Sequence, residues 1–174
     1  ESGRCRAEML RLLFLVGRDA KHPQAGGGDL QAWEWARYAA VRGHAVTYIC
    51  SAHAALPPTE QIEGVNVIRA GTGAQLALRA YAFYMRHRQQ FDLVYEDVIG
   101  GSRPPYLALL YVAQPVIVAW HQVTRTLFYD SYPRPLAFLL TYAEKLLARC
   151  YRNSLVRAPS KERKQELHRE LSLP

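Results

Sequence analysis

Three consecutive glycines, Gly26, Gly27 and Gly28, followed by Asp29, sit in the loop of residues 22–29, between an apolar strand pattern and a long helical pattern that closes at Gly43-His44. Without Cβ atoms such a loop lets backbone amides approach a ligand closely. At a helix N-terminus the partial positive charge there favours phosphate or another anion. The same glycines could equally form only a tight strand-to-helix turn. His121 ends the very apolar run 115–120, which puts its imidazole at the mouth of a crevice beyond that strand. A lone histidine at a strand end also reads as a polar residue satisfied by its neighbours. Glu96 and Asp97 form an acidic pair after another apolar run. They could orient a hydroxyl, and general-base work would need one of them within hydrogen-bond reach of it. Asp97 could as well cap a loop.

These residues need a scaffold, and the pattern around them supplies one. Apolar, β-rich runs at 11–17, 45–50, 65–69, 92–96, 115–120 and 154–158 alternate with helical patterns. Helices are expected at 30–42, capped by Asp29 and closed by Gly43, within 75–90, near 106–112, at 136–149 and at 161–171, the last with Ser160 as N-cap. Pro57-Pro58 marks a turn before the third strand. Runs that are apolar throughout, rather than alternating, suit a parallel sheet covered by helices on both faces. The expected fold is therefore α/β, a Rossmann-like doubly wound and mostly parallel sheet. Ligands in such folds sit beyond the carboxyl ends of the strands, which singles out 18–29, Ser51, 96–102 and 121–125. Gly43 and His44 read as structural, a left-handed helix end and the residue that follows it into the next strand.

At 174 residues and 49% hydrophobic, the chain fits one ordinary domain with a real core. Twenty-two Lys and Arg against 15 Asp and Glu give a net charge of +7, a surface attractive to nucleotides, phospholipids or nucleic acid alike. Cys5, Cys50 and Cys150 are odd in number, widely spaced and without a zinc-ligand pattern, as expected of reduced thiols in a cytosolic protein. The apolar run 10–16 is short and continues into a charged loop, unlike a secretory signal, and no run approaches the ~20 apolar residues of a membrane span. The segment 79–88 mixes Tyr81, Phe83 and Tyr84 with Arg79, Arg86 and Arg88. As a basic amphipathic helix it could lie on an anionic bilayer, or simply cover the sheet with a solvated charged face.

Taken in order, several motifs carry a resemblance. Pro23-Gln24-Ala25-Gly26-Gly27, a helix, and Arg42-Gly43-His44-Ala45-Val46-Thr47 resemble the opening of the family-4 retaining glycosyltransferases. Glu63-Gly64-Val65-Asn66-Val67-Ile68-Arg69 is similar to the family's third strand, and Phe91-Asp92-Leu93-Val94 to its Phe-Asp-x-Val strand. His121-Gln122 falls where the family has a histidine after the fifth strand, and Glu144 and Ser160 match the ending of its N-terminal half. The chain departs from close relatives in having Gly28-Asp29 where they often carry Ala-Glu. The shorter Asp29 is then expected to act as an N-cap.

The resemblance implies one half of a GT-B architecture, the acceptor-side domain, with a donor-binding domain expected outside these 174 residues. It implies no catalysis by this half alone. Its co-substrate would be a nucleotide-sugar, with no metal and no other cofactor, and its acceptor a glycan, a lipid-linked molecule or a small molecule. The glycines Gly26, Gly27 and Gly28 would face the donor diphosphate or sugar. His121 would be the catalytic residue, hydrogen-bonded to the donor sugar and stabilising charge as the sugar-phosphate bond breaks. Arg18, Asp29, Glu96, Asp97, Gln122 and Arg125 would lie on the acceptor side. A cytoplasmic location is expected, with a peripheral place at the inner face of the membrane as the alternative that lipid-linked relatives suggest. An isolated half would also expose a cleft face able to drive self-association.

Other classes fit less well. A nicotinamide-dependent oxidoreductase would share the strand, glycine loop and helix, but Gly26-Gly27-Gly28 continues as Asp29-Leu30-Gln31 rather than completing Gly-x-Gly-x-x-Gly. The second strand also ends in Cys50-Ser51, with no acid for a ribose. Nucleic acid is suggested only by charge, without a recognition helix or stacking motif, and is not expected as a partner. A non-catalytic acceptor-binding subunit of a split transferase remains the main rival.

Overall fold

A computed structural model describes residues 8–98 and 106–173. Cys5, and residues 99–102 of the region 96–102, lie outside the described residues. The chain runs β1 (Arg11–Leu15), α1 (Gly27–Val41), β2 (Ala45–Cys50), β3 (Thr59–Ile62), β4 (Val65–Arg69), α2 (Gly73–His87), β5 (Leu93–Val98), β6 (Val116–Trp120), α3 (Arg125–Ser131), α4 (Arg134–Cys150), β7 (Leu155–Arg157) and α5 (Lys161–Leu171). The strands form one sheet in the order β3-β4-β2-β1-β5-β6-β7, parallel except for the edge pair β3 and β4. Continuous apolar runs do become strands buried on both faces: Leu13, Leu15, Ile49, Val94 and Val118 point to one core, and Phe14, Tyr48, Val67, Tyr95 and Ala119 to the other.

The two faces are covered unequally. On one face α2, α4 and α5 bury Leu76, Ala148, Leu167 and Leu171 against the sheet. On the other α1 packs with Ala32, Trp33 and Ala36, the spacing of a single helical stripe, with Trp33 edge-on to Tyr48 at 5.5 Å. Beside α1 a groove of about 800 Å³ runs over β5, β6 and β7, walled by Trp35, Tyr95, Ile117 and Leu155.

Local chemistry accounts for the departures from expectation. Helix α1 begins at Gly27, so two of the three glycines are its first helical residues; the N-cap is Gly26, not Asp29. Asp29 instead sits at the third helical position, and its Oδ2 accepts from Gly26 N at 3.0 Å, the reaching-back half of a capping box. Between Pro58 and Val65 lies a strand not expected, β3, joined to β4 by Glu63 and Gly64 at φ 48° and 84°. Two consecutive positive φ values make the twisted two-residue turn that closes a hairpin, which glycine permits. The helix expected near 106–112 shrinks to a 3-10 turn at Ala108–Leu110, entered through Leu107 at φ 57°. An extra short helix, α3, precedes α4, with Tyr132-Pro133 separating them. Gly43 closes α1 at φ 89° as expected. His44 accepts from Leu10 N at 3.1 Å, tying the entry of β2 to that of β1.

Candidate functional site

Strand periodicity decides what the acidic pair does. Successive side chains on a strand point to opposite faces, so Glu96 and Asp97, neighbours near the end of β5, are separated by the sheet itself. Asp97 turns to the α1 face. There its carboxylate holds Nε2 of His121, which follows directly on β6. Asp97 pairs with Ala119 across the parallel β5–β6 register, so the two functional side chains meet just beyond the strand ends. A carboxylate can only accept, so Nε2 turns its hydrogen towards Asp97 and Nδ1 lies on the other side of the ring.

The imidazole lies against Gly28. A Cβ built on Gly28 would sit 3.2 Å from Cε1, 3.3 Å from Nε2 and 3.4 Å from Nδ1 of His121. Close approach to the ring is thus a requirement for glycine at this position, separate from any turn. The first-turn amides of a helix have no carbonyl one turn back to accept them, and Gly28, the residue against the ring, lies in that first turn at the positive end of α1. Asp97, His121 and Gly28, three residues far apart in the chain, form one arrangement at the carboxyl ends of the sheet.

The loop entering α1 is fixed from below. Asp19, four residues beyond β1, is fully buried and accepts from Arg69 Nε at 2.8 Å and from Nη2 at 3.1 Å. Arg69 also donates to Glu60 Oε2 at 3.1 Å and to the carbonyl of Pro57 at 2.8 Å. Burial works to raise the Asp19 carboxyl, yet the Arg69 hydrogen bonds and the Lys21 amide outweigh it and hold the group below its ordinary value. Arg18 folds over the loop, donating from Nη1 to the carbonyl of Gln24 at 2.6 Å and standing 4.0 Å from Asp29 Oδ2. His22 is buried under the same loop, edge-on to His53 at 5.1 Å, and burial, then the neighbouring Arg18 and His53, lower its basicity.

A match to the family model for Glycosyltransferase Family 4 extends over residues 25–174. The chain belongs to glycosyltransferase family 4. Comparison with curated proteins finds no match. In this family-4 domain the match takes in the glycine loop, Asp97 and His121, and ends beyond α5.

The remaining candidates take different places. Glu96 does not open onto the site: it is fully buried on the opposite face, accepting from Leu107 N at 2.9 Å, Ala108 N at 3.1 Å and Tyr151 Oη at 3.0 Å. Burial pushes its carboxyl up to about 7 against the pull of those bonds. Its work is to pin the turn after β5 and the end of α4 to the sheet. Gln122 follows His121, and its backbone carbonyl accepts from Trp120 Nε1 at 3.2 Å. Arg125 is exposed at the first residue of α3. Glu144 reaches from α4 to accept from Thr124 N at 3.0 Å, which fixes the loop from His121 to α3. Burial raises its carboxyl. Two supports escaped sequence reasoning, the Asp19–Arg69 pair and the His22–His53 contact. The first joins residues 50 apart in sequence and has no local signal.

Among the described residues no three His, Cys, Asp or Glu side chains stand together as a metal-ligand set. Among those residues, too, no helix is long and apolar enough to cross a membrane.

Proposed function

We propose that this domain forms the acceptor side of a retaining glycosyltransferase that uses a nucleotide-sugar donor, with His121 at the reacting centre. The observation that carries this reading is the stacking of the His121 ring on Gly28 at the head of α1, with Nε2 held by Asp97. A donor sugar seated there would meet three things at once. The first-turn amides of α1 would face its diphosphate. Nδ1 of His121 would accept from a sugar hydroxyl. The buried Asp97 carboxylate behind the ring would add negative potential where the anomeric carbon becomes cationic.

In this reading the anomeric carbon–oxygen bond to the diphosphate breaks with both electrons leaving on the phosphate oxygen. The acceptor hydroxyl then bonds to the same face of the sugar, its proton passing to the departing phosphate. No protein nucleophile is required. A second domain outside these residues would hold the nucleotide and neutralise the diphosphate, with no metal needed. Arg18, Gln122 and Arg125 are assigned in this reading to the acceptor, whereas Asp29 and Glu96 act by shaping the loops.

The test is transfer by the full-length gene product across a panel of nucleotide-sugars, beside His121→Ala. Product of retained anomeric configuration, with a large loss in the variant, supports the reading. A folded two-domain protein that neither transfers nor hydrolyses any donor favours a non-catalytic acceptor-binding subunit.

A further inference from the structure

Helix α4 has one stripe turned inward and a second, apolar stripe turned outward. One stripe, Ala137, Glu144 and Ala148, is buried against the body of the domain. The other points to solvent: Phe138 is 66% exposed, Leu139 60%, Tyr142 52% and Leu146 42%. Phe138, Tyr142 and Leu146 recur at the spacing of i, i+4 and i+8, so they form one ridge along the helix rather than scattered contacts. Lys145 and Arg149 continue from Phe138 at i+7 and i+11 and edge that ridge with positive charge. The adjoining α3 adds Leu127 and Tyr129, and Tyr132 follows it, all exposed.

An apolar stripe of this size on a helix that already buries its other face calls for a covering partner. Charge selects which one. Across the hairpin the exposed ions are Arg125, Arg134, Lys145, Arg149 and Arg152 against Asp130, because Glu144 is turned inward. A second copy docked through the same face would set like charges against each other. An anionic lipid surface would satisfy both features: the apolar ridge enters the acyl boundary, tyrosines sit at the headgroup level, and lysine and arginine meet lipid phosphates. We propose that the α3–α4 hairpin docks this protein flat on an anionic bilayer. The glutamate link from α4 to Thr124 would then hold the loop that carries His121 at a fixed height above the membrane.

This surface is distinct from α2, the segment that composition favours. In α2 Tyr84 is buried, its hydroxyl donating to Gln114 Oε1 at 2.5 Å, and Tyr81 packs edge-on against Tyr111 at 5.0 Å. Leu78 and Met85 remain exposed there, and they serve as the comparison.

The experiment is co-sedimentation of the protein with vesicles of phosphatidylcholine alone or mixed with phosphatidylglycerol, together with size-exclusion chromatography. The wild type is expected to bind the mixed vesicles, with binding weakened by salt, and to bind pure phosphatidylcholine far less. Phe138→Gln with Tyr142→Gln, and separately Lys145→Gln with Arg149→Gln, are expected to lower binding about tenfold or more. Leu78→Gln with Met85→Gln is expected to leave it unchanged. All these side chains face solvent, and near-UV circular dichroism verifies the fold; the charge pair carries the test should the aromatic pair unfold. Absence of wild-type binding to mixed vesicles overturns the proposal, as does wild-type binding by folded α4 variants. So does a wild-type oligomer that Phe138→Gln with Tyr142→Gln dissociates without any vesicle binding, which would make the ridge a self-association surface. None of these outcomes depends on transfer activity, so the proposal and the catalytic reading fail separately.

Discussion

Replacing Gly28 by alanine should separate stability from activity in opposite directions. The residue lies in the first turn of α1, outside the positive-φ set, so alanine meets no backbone strain there. Helix propensity favours alanine over glycine by up to about 1 kcal/mol, and the variant should melt at or above the wild-type temperature. The new methyl, however, would stand 3.2–3.4 Å from three atoms of the His121 ring. Carbon contacts settle at about 3.5–4.0 Å, so the ring must retreat by roughly 0.3–0.5 Å. Nε2 is tied to Asp97, and the retreat therefore strains that bond or tips the ring. A misplacement of about 1 Å costs on the order of 10²-fold in rate. Half of that corresponds to about tenfold, or about 1.4 kcal/mol on the barrier. Initial rates of sugar transfer by the full-length enzyme, beside thermal denaturation and the NMR signals of the His121 ring, measure both effects. Gly27→Ala supplies the stability reference, since nothing lies within 4 Å of its added carbon. Wild-type transfer by Gly28→Ala with an unmoved histidine signal would refute the argument that this glycine exists to admit the ring.

Three further outcomes follow from the same geometry. Asp97→Asn retains an oxygen for Nε2–H but removes the negative charge, and kcat/KM for transfer should fall about 10²-fold while the melting temperature changes little. Arg69→Ala strands the buried Asp19 carboxylate, and urea denaturation at neutral pH should show a loss of about 3–5 kcal/mol that shrinks once the medium is acid enough to protonate Asp19. Glu96 holds its proton up to about pH 7 when folded, against an ordinary 4.5. Between those values the folded state binds more protons than the unfolded one, so this group's contribution to stability is full below about 4.5 and declines as pH rises towards 7. The slope is at most about 1.4 kcal/mol per pH unit. Melting temperatures across that range should lose this component in Glu96→Gln, and an identical profile in the variant would count against it.

How much of the site was legible depends on how far apart its partners lie. Gly26 to Asp29 announce a helix start over a glycine loop, and both the loop and the helix are present, shifted by the capping of Gly26 by Asp29. His121 at the end of an apolar strand was equally readable. The equivalence of Glu96 and Asp97 was not resolvable, because adjacent residues look alike until the strand's pleat sends one to each face. A second strand in the 59–69 region was hidden because Thr59–Ile62 is short, polar and at the sheet edge, where no apolar run is demanded.

What the sequence determined by itself was therefore local: apolar runs long enough for buried parallel strands, glycines where the backbone turns, and a helical stripe on α1. These are properties of neighbouring residues, governed by sterics and by burial. Tertiary structure alone decided the pairings of residues distant in the chain: Asp97 with His121, His121 with Gly28, and Asp19 with Arg69 across 50 residues. It alone decided, too, that α4 buries two alanines and a glutamate while Phe138, Leu139, Tyr142 and Leu146 face outward. Periodicity shows that a helix has an apolar face, but which face meets the sheet depends on the room between the elements. In α4 the inward stripe carries Ala137, Glu144 and Ala148, and Phe138, Leu139, Tyr142 and Leu146 are left exposed.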